Sequence, residues 1–196
     1  RSPATMESSR ACDLFGCLEG NDIQMADAEQ AYVQAELKGE DTWVCLPPEA
    51  RVGPKWKDWQ DPKSRPVVRL RLALYGHPDA GTCWERHCDS HLKQVGFERI
   101  SESWQSCYWH PLHQLYLVVY VDDFKLAGPK AKLALGWKLI REDPITKKGL
   151  QMEEPTSLGT FLGCRHLREE FVQADGNKAV MIKYDMTEFM QSCATK

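Results

Sequence analysis

Two adjacent carboxylates, Asp122 and Asp123, interrupt an apolar run in the stretch LYLVVYVDDFKLAG, residues 115–128. Strands are depleted in Asp, and two carboxylates about 4 Å apart repel by about 4 kcal/mol at an effective dielectric constant of about 20. A divalent cation turns this repulsion into ligation, and carboxylate oxygens suit Mg²⁺ or Mn²⁺. An exposed Asp-Asp turn on an ordinary hairpin also explains the dipeptide. The pair alone leaves both interpretations open.

A third carboxylate, Asp27, ends an alternating segment, NDIQMAD, that is typical of a short strand. If strands 21–27 and 115–121 are neighbours in one sheet, Asp27 and Asp122 meet at the same edge. Three carboxylates at adjoining strand ends are the arrangement that two-metal phosphoryl or nucleotidyl transfer requires. The sequence therefore predicts a site for two Mg²⁺ or Mn²⁺ ions formed by Asp27, Asp122 and Asp123.

Histidines and cysteines suggest a different metal. They form two clusters along the chain: His87, Cys88 and His91, then Cys107, His110 and His113. Zinc binds such ligands, but neither cluster has the four-ligand spacing of a structural zinc site. A helix face and a hairpin turn explain the clusters without metal. A zinc-binding interaction module remains an alternative function.

The candidate carboxylates need a sheet to hold them, and the pattern predicts one that is built from hairpins. Strands and hairpin segments are predicted over 21–27, 42–50, 65–76, 104–110, 114–121, 124–128 and 157–184. From helix formers and apolar residues at helical spacing, helices are predicted over 28–39, 82–97 and 130–143. Strands alternate with helices but are also joined by hairpins, which indicates an α+β fold with an antiparallel sheet.

The 196 residues carry a net charge of −3, which gives no overall electrostatic argument for a nucleic-acid partner. Basic residues are nevertheless concentrated over 51–71, where a solvated loop and a nucleic-acid surface including Trp56 and Trp59 both fit the pattern. No apolar stretch approaches the roughly 20 residues of a membrane span, so no membrane association is predicted. The eight cysteines lack the spacing of a disulfide framework, which favours free thiols in a reducing compartment.

Several sequence blocks, in the same order, resemble the reverse transcriptases of copia-type LTR retrotransposons. YVDD (120–123) behind an apolar strand resembles the reverse transcriptase signature. MADAEQAYVQAELKGEDTWVCLPPEA resembles the family's strand-to-helix motif, and VVRLRLALYGHPDAGTCWERH resembles its Leu-Tyr-Gly turn and the following helix. SCYW before YVDD and LGTFLG after it resemble further blocks. The resemblance covers nearly the whole chain and implies an RNA-directed DNA polymerase, a nucleotidyltransferase, of a transposable element.

The resemblance implies roles for the residues that match the catalytic and nucleotide motifs. Asp27 and Asp122 would each bridge to the catalytic metals, two Mg²⁺ or Mn²⁺ ions, and Asp123 would complete the site. Tyr32 would lie under the incoming sugar and exclude a 2′-hydroxyl, so that deoxynucleotides are selected. Ala31 beside it would keep room for the nucleotide.

The resemblance also implies a hairpin that grips the primer terminus, formed by Phe161, Leu162 and Gly163. A basic residue that protonates pyrophosphate is expected near Lys147 and Lys148, and the choice between them is left open. The turn before the second predicted helix departs from the family, whose Gly-Leu-Lys-Gln-Ala-Pro places Gln against the incoming nucleotide. Here GHPDAG places Asp79 at that dNTP-binding position. An acid near a triphosphate is electrostatically unfavourable, which puts nucleotide affinity in question.

The fold that the resemblance implies is the palm of a right-hand polymerase, an antiparallel sheet backed by helices, with part of the fingers. We expect a single domain over 1–196, with partial fingers over about 1–20, palm over 21–165, and the end of the palm or start of the thumb over 166–196. The chain is expected to be a fragment of a longer Pol polyprotein that also serves DNA integration.

The implied partners are an RNA template, a nucleic-acid primer, dNTPs and the remainder of the Pol polyprotein, without a membrane. The oligomeric state is left open. By resemblance the protein is expected inside the cell, in cytoplasmic virus-like particles. Because Asp79 departs from the family, a catalytically decayed, non-enzymatic retrotransposon remnant is a further alternative.

Overall fold

A computed structural model of the protein describes residues 4–61 and 63–195, which contain four α-helices and eleven strands. The helices are α1 (Met6–Gly16), α2 (Ala80–Gln94), α3 (Lys130–Arg141) and α4 (Thr187–Ala194). The strands are β1 (Asn21–Asp27), β2 (Trp43–Cys45), β3 (Val67–Arg69), β4 (Glu98–Arg99), β5 (Cys107–His110), β6 (Leu115–Tyr120), β7 (Asp123–Pro129), β8 (Thr156–Ser157), β9 (Thr160–Phe161), β10 (Cys164–Val172) and β11 (Lys178–Asp185). Three short 3-10 helices cover Ala31–Gln34, Pro48–Ala50 and Pro54–Trp59.

Contacts within the chain divide it into two units. The first consists of the residues up to Ala31 and those from Cys88 onward, and the second consists of residues 32–87. The first unit contains all three candidate carboxylates. The division into fingers, palm and thumb that the resemblance implies remains a prediction.

A six-stranded antiparallel sheet, in the order β4-β5-β6-β7-β1-β8, forms the centre of the first unit. A β-carbon at Gly16 of α1 would collide with Ile23, and one at Gly136 of α3 would collide with Leu126. Ile23 pairs with Ala127, the neighbour of Leu126 in β7, and successive strand residues point to opposite faces. The two helices therefore cover opposite faces of the sheet, which is why consecutive residues of β6 and β7 are buried without alternation.

A second sheet of the first unit has the order β9-β10-β11. Its longest part is the hairpin of β10 and β11, whose turn contains Asp175 and Gly176, as predicted. The predicted helices over 82–97 and 130–143 correspond to α2 and α3. The mixed α/β architecture with antiparallel sheets is therefore confirmed.

The helix predicted over 28–39 is wrong. Only the short 3-10 helix Ala31–Gln34 forms, and the chain then turns to pair with a distant segment of the second unit. The N–H of Ala73 donates to the C=O of Ala35 at 2.9 Å, and both alanines are fully buried. Close packing of two small side chains therefore outweighs the helix propensity of this segment.

A long loop between β2 and β3 in the second unit is organised by one buried arginine. Arg51 is only 4 % exposed. Its guanidinium donates five hydrogen bonds of 2.8–3.2 Å to the backbone carbonyls of Leu46, Trp59, Asp61 and Ser64. This side chain is therefore not available to a phosphate, although the sequence pattern counts it among the basic residues of the loop.

Two further features bear on the class of protein. Within residues 4–61 and 63–195, the helices are too short or too polar to span a lipid bilayer. All eight cysteines are free thiols.

Candidate active site

Asp27 and Asp123 face each other where the pairing between β1 and β7 ends. Asp27 is the last residue of β1 and Asp123 is the first residue of β7, and the register pairs the two. One step further, the N–H of Ala28 donates to the C=O of Asp122 at 2.8 Å. The structure therefore brings all three candidate carboxylates to one edge of the sheet.

The neighbours of β1 in the sheet are β7 and β8, so the expectation that strands 21–27 and 115–121 are direct neighbours is wrong. β7 pairs with β6 on one side and with β1 on the other. The hairpin that carries YVDD thus places its second strand, rather than its first, against β1. As a consequence, the register pairs Asp27 with Asp123 rather than with Asp122.

The turn between β6 and β7 is strained. Tyr120 pairs with Asp123, which leaves Val121 and Asp122 as a two-residue loop. Val121 has a φ of 56°, in the left-handed region that a β-branched residue rarely adopts. Such a conformation costs on the order of 1–3 kcal/mol and is concentrated at functional sites. The pairing of Tyr120 with Asp123 holds this turn, with Asp122 at its tip and Asp123 at the start of the strand.

Asp123 lies in surroundings that disfavour its ionised form. Asp27 and Asp122 are exposed, and Asp123 is half-buried. Burial raises the pKa of Asp123 to about 6, and the charges of Asp27 and Asp122 and a side-chain hydrogen bond with Asp27 add to this increase. Burial together with nearby negative charge thus disfavours the ionised form of Asp123, and carboxyl groups with a raised pKa are frequent at functional sites.

The donor set of this acidic cluster (Asp27, Asp122 and Asp123) fits a hard divalent cation. Its donors are carboxylate oxygens, which Mg²⁺ and Mn²⁺ prefer, and a bound cation would relieve the crowding that raises the pKa of Asp123. In the described part of the chain, no three or more His, Cys, Asp or Glu side chains are placed to hold a metal ion by themselves. Mg²⁺ is usually held by one or two carboxylates together with waters and substrate phosphates. The three carboxylates of the cluster therefore do not by themselves form a complete cation site.

Two of the candidate nucleotide-binding residues begin the short 3-10 helix that follows β1. Ala31 is almost completely buried. Tyr32 belongs to the second unit, where its ring lies 4.5 Å from that of Tyr75 and packs against a small core that includes Ala35 and Ala73. The ring of Tyr32 is therefore held by packing within its own unit.

Asp79, the third candidate nucleotide-binding residue, is exposed and directly precedes α2. Its C=O accepts the N–H of Cys83 at 2.9 Å, which is the first hydrogen bond of the helix. Its own N–H donates to Nδ1 of His77 at 3.1 Å. Asp79 therefore occupies the N-cap position, where Asp is favoured and where the helix dipole stabilises negative charge. This local role accounts for Asp in the second unit without reference to a nucleotide.

The candidate primer-grip hairpin (Phe161, Leu162 and Gly163) forms the connection between β9 and β10. Phe161 pairs with Cys164, and the two turn residues Leu162 and Gly163 both have positive φ, 52° and 73°. Positive φ at both positions is typical of a tight hairpin turn. Phe161 is buried in the same core as Met25. A ligand would therefore meet Leu162 and Gly163 rather than the ring of Phe161.

Three histidines of the two clusters make contacts within the fold. Nε2 of His91 lies 2.7 Å from the C=O of Ile140. The rings of His110 and His113 stack at 4.4 Å. Across residues 4–61 and 63–195 these side chains do not assemble into a zinc site. Of the two candidate lysines, Lys147 forms an ion pair with Glu142 at 3.0 Å.

Sequence reasoning missed one polar cluster in the first unit. Lys125, two residues after Asp123, is completely buried, and its Nζ forms an ion pair with Asp13 at 2.8 Å. His166 and Tyr184 contact the same carboxylate. The available signal was a lysine inside an apolar strand, which requires a buried partner.

Clustered carboxylates at the edge of an antiparallel sheet define a class of site that is suited to metal-assisted phosphoryl transfer. Comparison with protein families identifies the chain more closely. A family model described as reverse transcriptase (RNA-dependent DNA polymerase) matches residues 3–194. The chain therefore belongs to the reverse transcriptase family, whose members bind a nucleic-acid template and primer. Searches of curated proteins and of solved structures gave no match.

Proposed function

We propose that the protein is the reverse transcriptase of a copia-type LTR retrotransposon and that it extends a primer on an RNA template by two-metal nucleotidyl transfer. Membership of the reverse transcriptase family supports the activity. The observation that carries the mechanism is the acidic cluster, in which Asp27 pairs with Asp123 and the pKa of Asp123 is raised to about 6. A crowded set of carboxylates at a sheet edge is the donor set that two catalytic Mg²⁺ or Mn²⁺ ions need.

In this proposal Asp27 and Asp122 would be the main ligands of both ions, and Asp123 would complete the site. When bound, the ions supply acidification of the primer 3′-hydroxyl and neutralisation of the triphosphate. The protein would contribute preorganisation, because the pairing of β1 with β7 and of β7 with β6 holds the backbone of the carboxylates in place before the substrates bind.

The proposal assigns the nucleotide and primer contacts to residues outside the acidic cluster. Tyr32 would exclude the 2′-hydroxyl, and its packing against Tyr75 supports a fixed ring. Ala31 would leave room for the sugar. The turn residues Leu162 and Gly163 would contact the primer terminus, with Phe161 anchoring them in the core.

The domain arrangement, the cellular location and the partners are proposed from the same family resemblance. The first unit would include the palm, and the remainder of the Pol polyprotein would supply other activities, including DNA integration. We propose an intracellular location, in cytoplasmic virus-like particles. The RNA template and the nucleic-acid primer would be bound together with dNTPs.

Primer extension on poly(rA) with an oligo(dT) primer and Mg²⁺ or Mn²⁺ tests this function. Asp122→Asn is expected to reduce extension by roughly 10²- to 10³-fold or more, the range for the loss of one preorganised electrostatic group at a reacting centre. Glu170→Gln is the matched control, because Glu170 is an exposed carboxylate on β10. Extension that survives Asp122→Asn would overturn the assignment of the acidic cluster.

A second candidate is favoured by the acid at position 79. A decayed copy would keep the fold and the acidic cluster but bind dNTPs poorly, because Asp79 replaces the glutamine expected in its turn. Absence of extension, even from a longer chain that includes complete fingers and thumb, would favour this non-enzymatic remnant over the polymerase.

A further inference from the structure

A fully buried lysine, Lys125, lies two residues after Asp123 on β7. Its Nζ forms an ion pair with Oδ1 of Asp13 at 2.8 Å and donates to Oγ of Ser9 at 2.6 Å. A buried charge is unfavourable unless it is paired and hydrogen-bonded. These contacts with α1 therefore account for a charged residue in the interior of the sheet.

Asp13 extends the contact to the second sheet of the same unit. Its Oδ2 lies 3.2 Å from Nδ1 of His166 on β10 and accepts a hydrogen bond from Tyr184 on β11 at 2.9 Å. Burial raises the pKa of Asp13, but the hydrogen bond with His166 and the charge of Lys125 outweigh this effect and lower the pKa below its usual value. The ionised carboxylate thus joins α1 and β7 to the hairpin of β10 and β11.

Lys125 also contacts the primer-grip hairpin directly. Its Nζ lies 4.5 Å from the centroid of the Phe161 ring, within the range of a cation–π interaction. The backbone of Lys125 pairs with Met25, and the pair formed by Asp123 and Asp27 lies two residues further along the antiparallel ladder. Strand residues two apart share a face, so Lys125 and Asp123 lie on the same face of β7.

We propose that Lys125 is a positioning residue that fixes the primer-grip hairpin relative to the acidic cluster. One side chain connects the strand that carries Asp123 to the ring that anchors the hairpin. Loss of either charge from a buried ion pair leaves the other uncompensated, so the pair holds one arrangement rather than a range of them. The consequence for catalysis rests on the proposed function, whereas the coupling between hairpin and strand does not.

Two variants and a control separate positioning from stability. Lys125→Met alone leaves Asp13 buried without its cation and is expected to destabilise the protein strongly. Lys125→Met combined with Asp13→Asn removes both charges and keeps a polar side chain at position 13, so this double variant is expected to fold. Lys93→Met is the matched control, because Lys93 forms a half-exposed ion pair with Asp89 on the surface of α2.

Hydrogen–deuterium exchange without nucleic acid measures the coupling. In the parent chain we expect the hydrogen-bonded amides of 160–166 to be protected as strongly as those of β7. In the double variant we expect them to exchange about tenfold faster, with β1 unchanged. Rapid exchange of 160–166 in the parent chain would overturn the proposal. Unchanged exchange in the folded double variant, or the same acceleration in Lys93→Met, would also overturn it.

Single-turnover primer extension measures the catalytic consequence. We expect the double variant to extend a primer roughly 100-fold more slowly at saturating dNTP, with an unchanged KM for dNTP, because misplacement by about 1 Å has effects of this size. A parental extension rate together with accelerated exchange would refute the catalytic role of Lys125. A parent chain that shows the exchange pattern but no extension would instead refute the proposed function and leave the coupling established.

Discussion

Replacing Asp123 with asparagine is expected to stabilise the protein at neutral pH while abolishing primer extension. Burial and the charges of Asp27 and Asp122 raise the pKa of Asp123 from 3.8 to about 6. This increase corresponds to about 3 kcal/mol, and because Asp123 is only half-buried, solvent screening reduces the effect to about 1–2 kcal/mol. Asparagine has nearly the same shape without the charge, so Asp123→Asn recovers this free energy wherever Asp123 is ionised.

The gain has a defined pH window. Folding raises the pKa of Asp123, so the folded chain binds this proton more tightly than the unfolded chain does. The parent chain therefore carries no penalty from Asp123 below pH 3.8, and it loses stability as the pH rises from 3.8 to about 6. The free energies of unfolding of parent and variant should therefore differ by about 1–2 kcal/mol at pH of about 7.5 and by close to zero at pH of about 3.5.

Urea unfolding followed by the fluorescence of the seven tryptophans measures the difference at both pH values. In thermal unfolding, each kcal/mol corresponds to about 2–4 °C in Tm for a chain of this size. Glu170→Gln, which removes an exposed carboxylate, should change stability little at either pH. A variant that is less stable than the parent chain at neutral pH, or that gains equally at both pH values, would refute the inference that the cluster is crowded.

Two further substitutions test the turns near the candidate site. Val121→Gly is expected to raise the free energy of unfolding by about 1 kcal/mol, because glycine adopts a φ of 56° without strain. Urea unfolding measures this change, and a loss of stability would mean that the valine side chain contributes more than its backbone strain costs. If Asp79 lies beside the triphosphate, as the family resemblance implies, Asp79→Gln removes an acid there and is expected to lower the KM for dNTP several-fold without changing primer–template affinity. An unchanged KM in steady-state extension assays would place Asp79 outside that site.

Local patterns predict the central hairpin and the helices α2 and α3, because these elements bury apolar residues at the spacing of their own secondary structure. Two other regions depend on partners that are distant in sequence. α1 buries Ser8, Ser9 and Asp13, so it shows no apolar stripe. The segment after β1 contains good helix formers, but the packing of Ala35 against Ala73 gives it an extended path.

The candidate site shows the same division. The three aspartates were found from residue type and position at strand ends, and the structure brings them to one edge. The register that sets Asp27 opposite Asp123 was not predictable, because it depends on which arm of the YVDD hairpin meets β1. The partner of Lys125 is Asp13, which is 112 residues away, and no local pattern connects the two.

The loop between β2 and β3 is held together by the hydrogen bonds of the buried Arg51 rather than by the packing of apolar side chains. The Arg51 guanidinium holds carbonyls from both ends of the loop, and the side-chain amide of Gln60 donates to the C=O of Arg51 and of Trp56. The exposed residues Lys55, Lys57 and Trp59 are therefore free to vary without unfolding the loop. Substitutions that disturb this loop are therefore expected mainly at its two hydrogen-bonding side chains, Arg51 and Gln60, rather than on its outer surface.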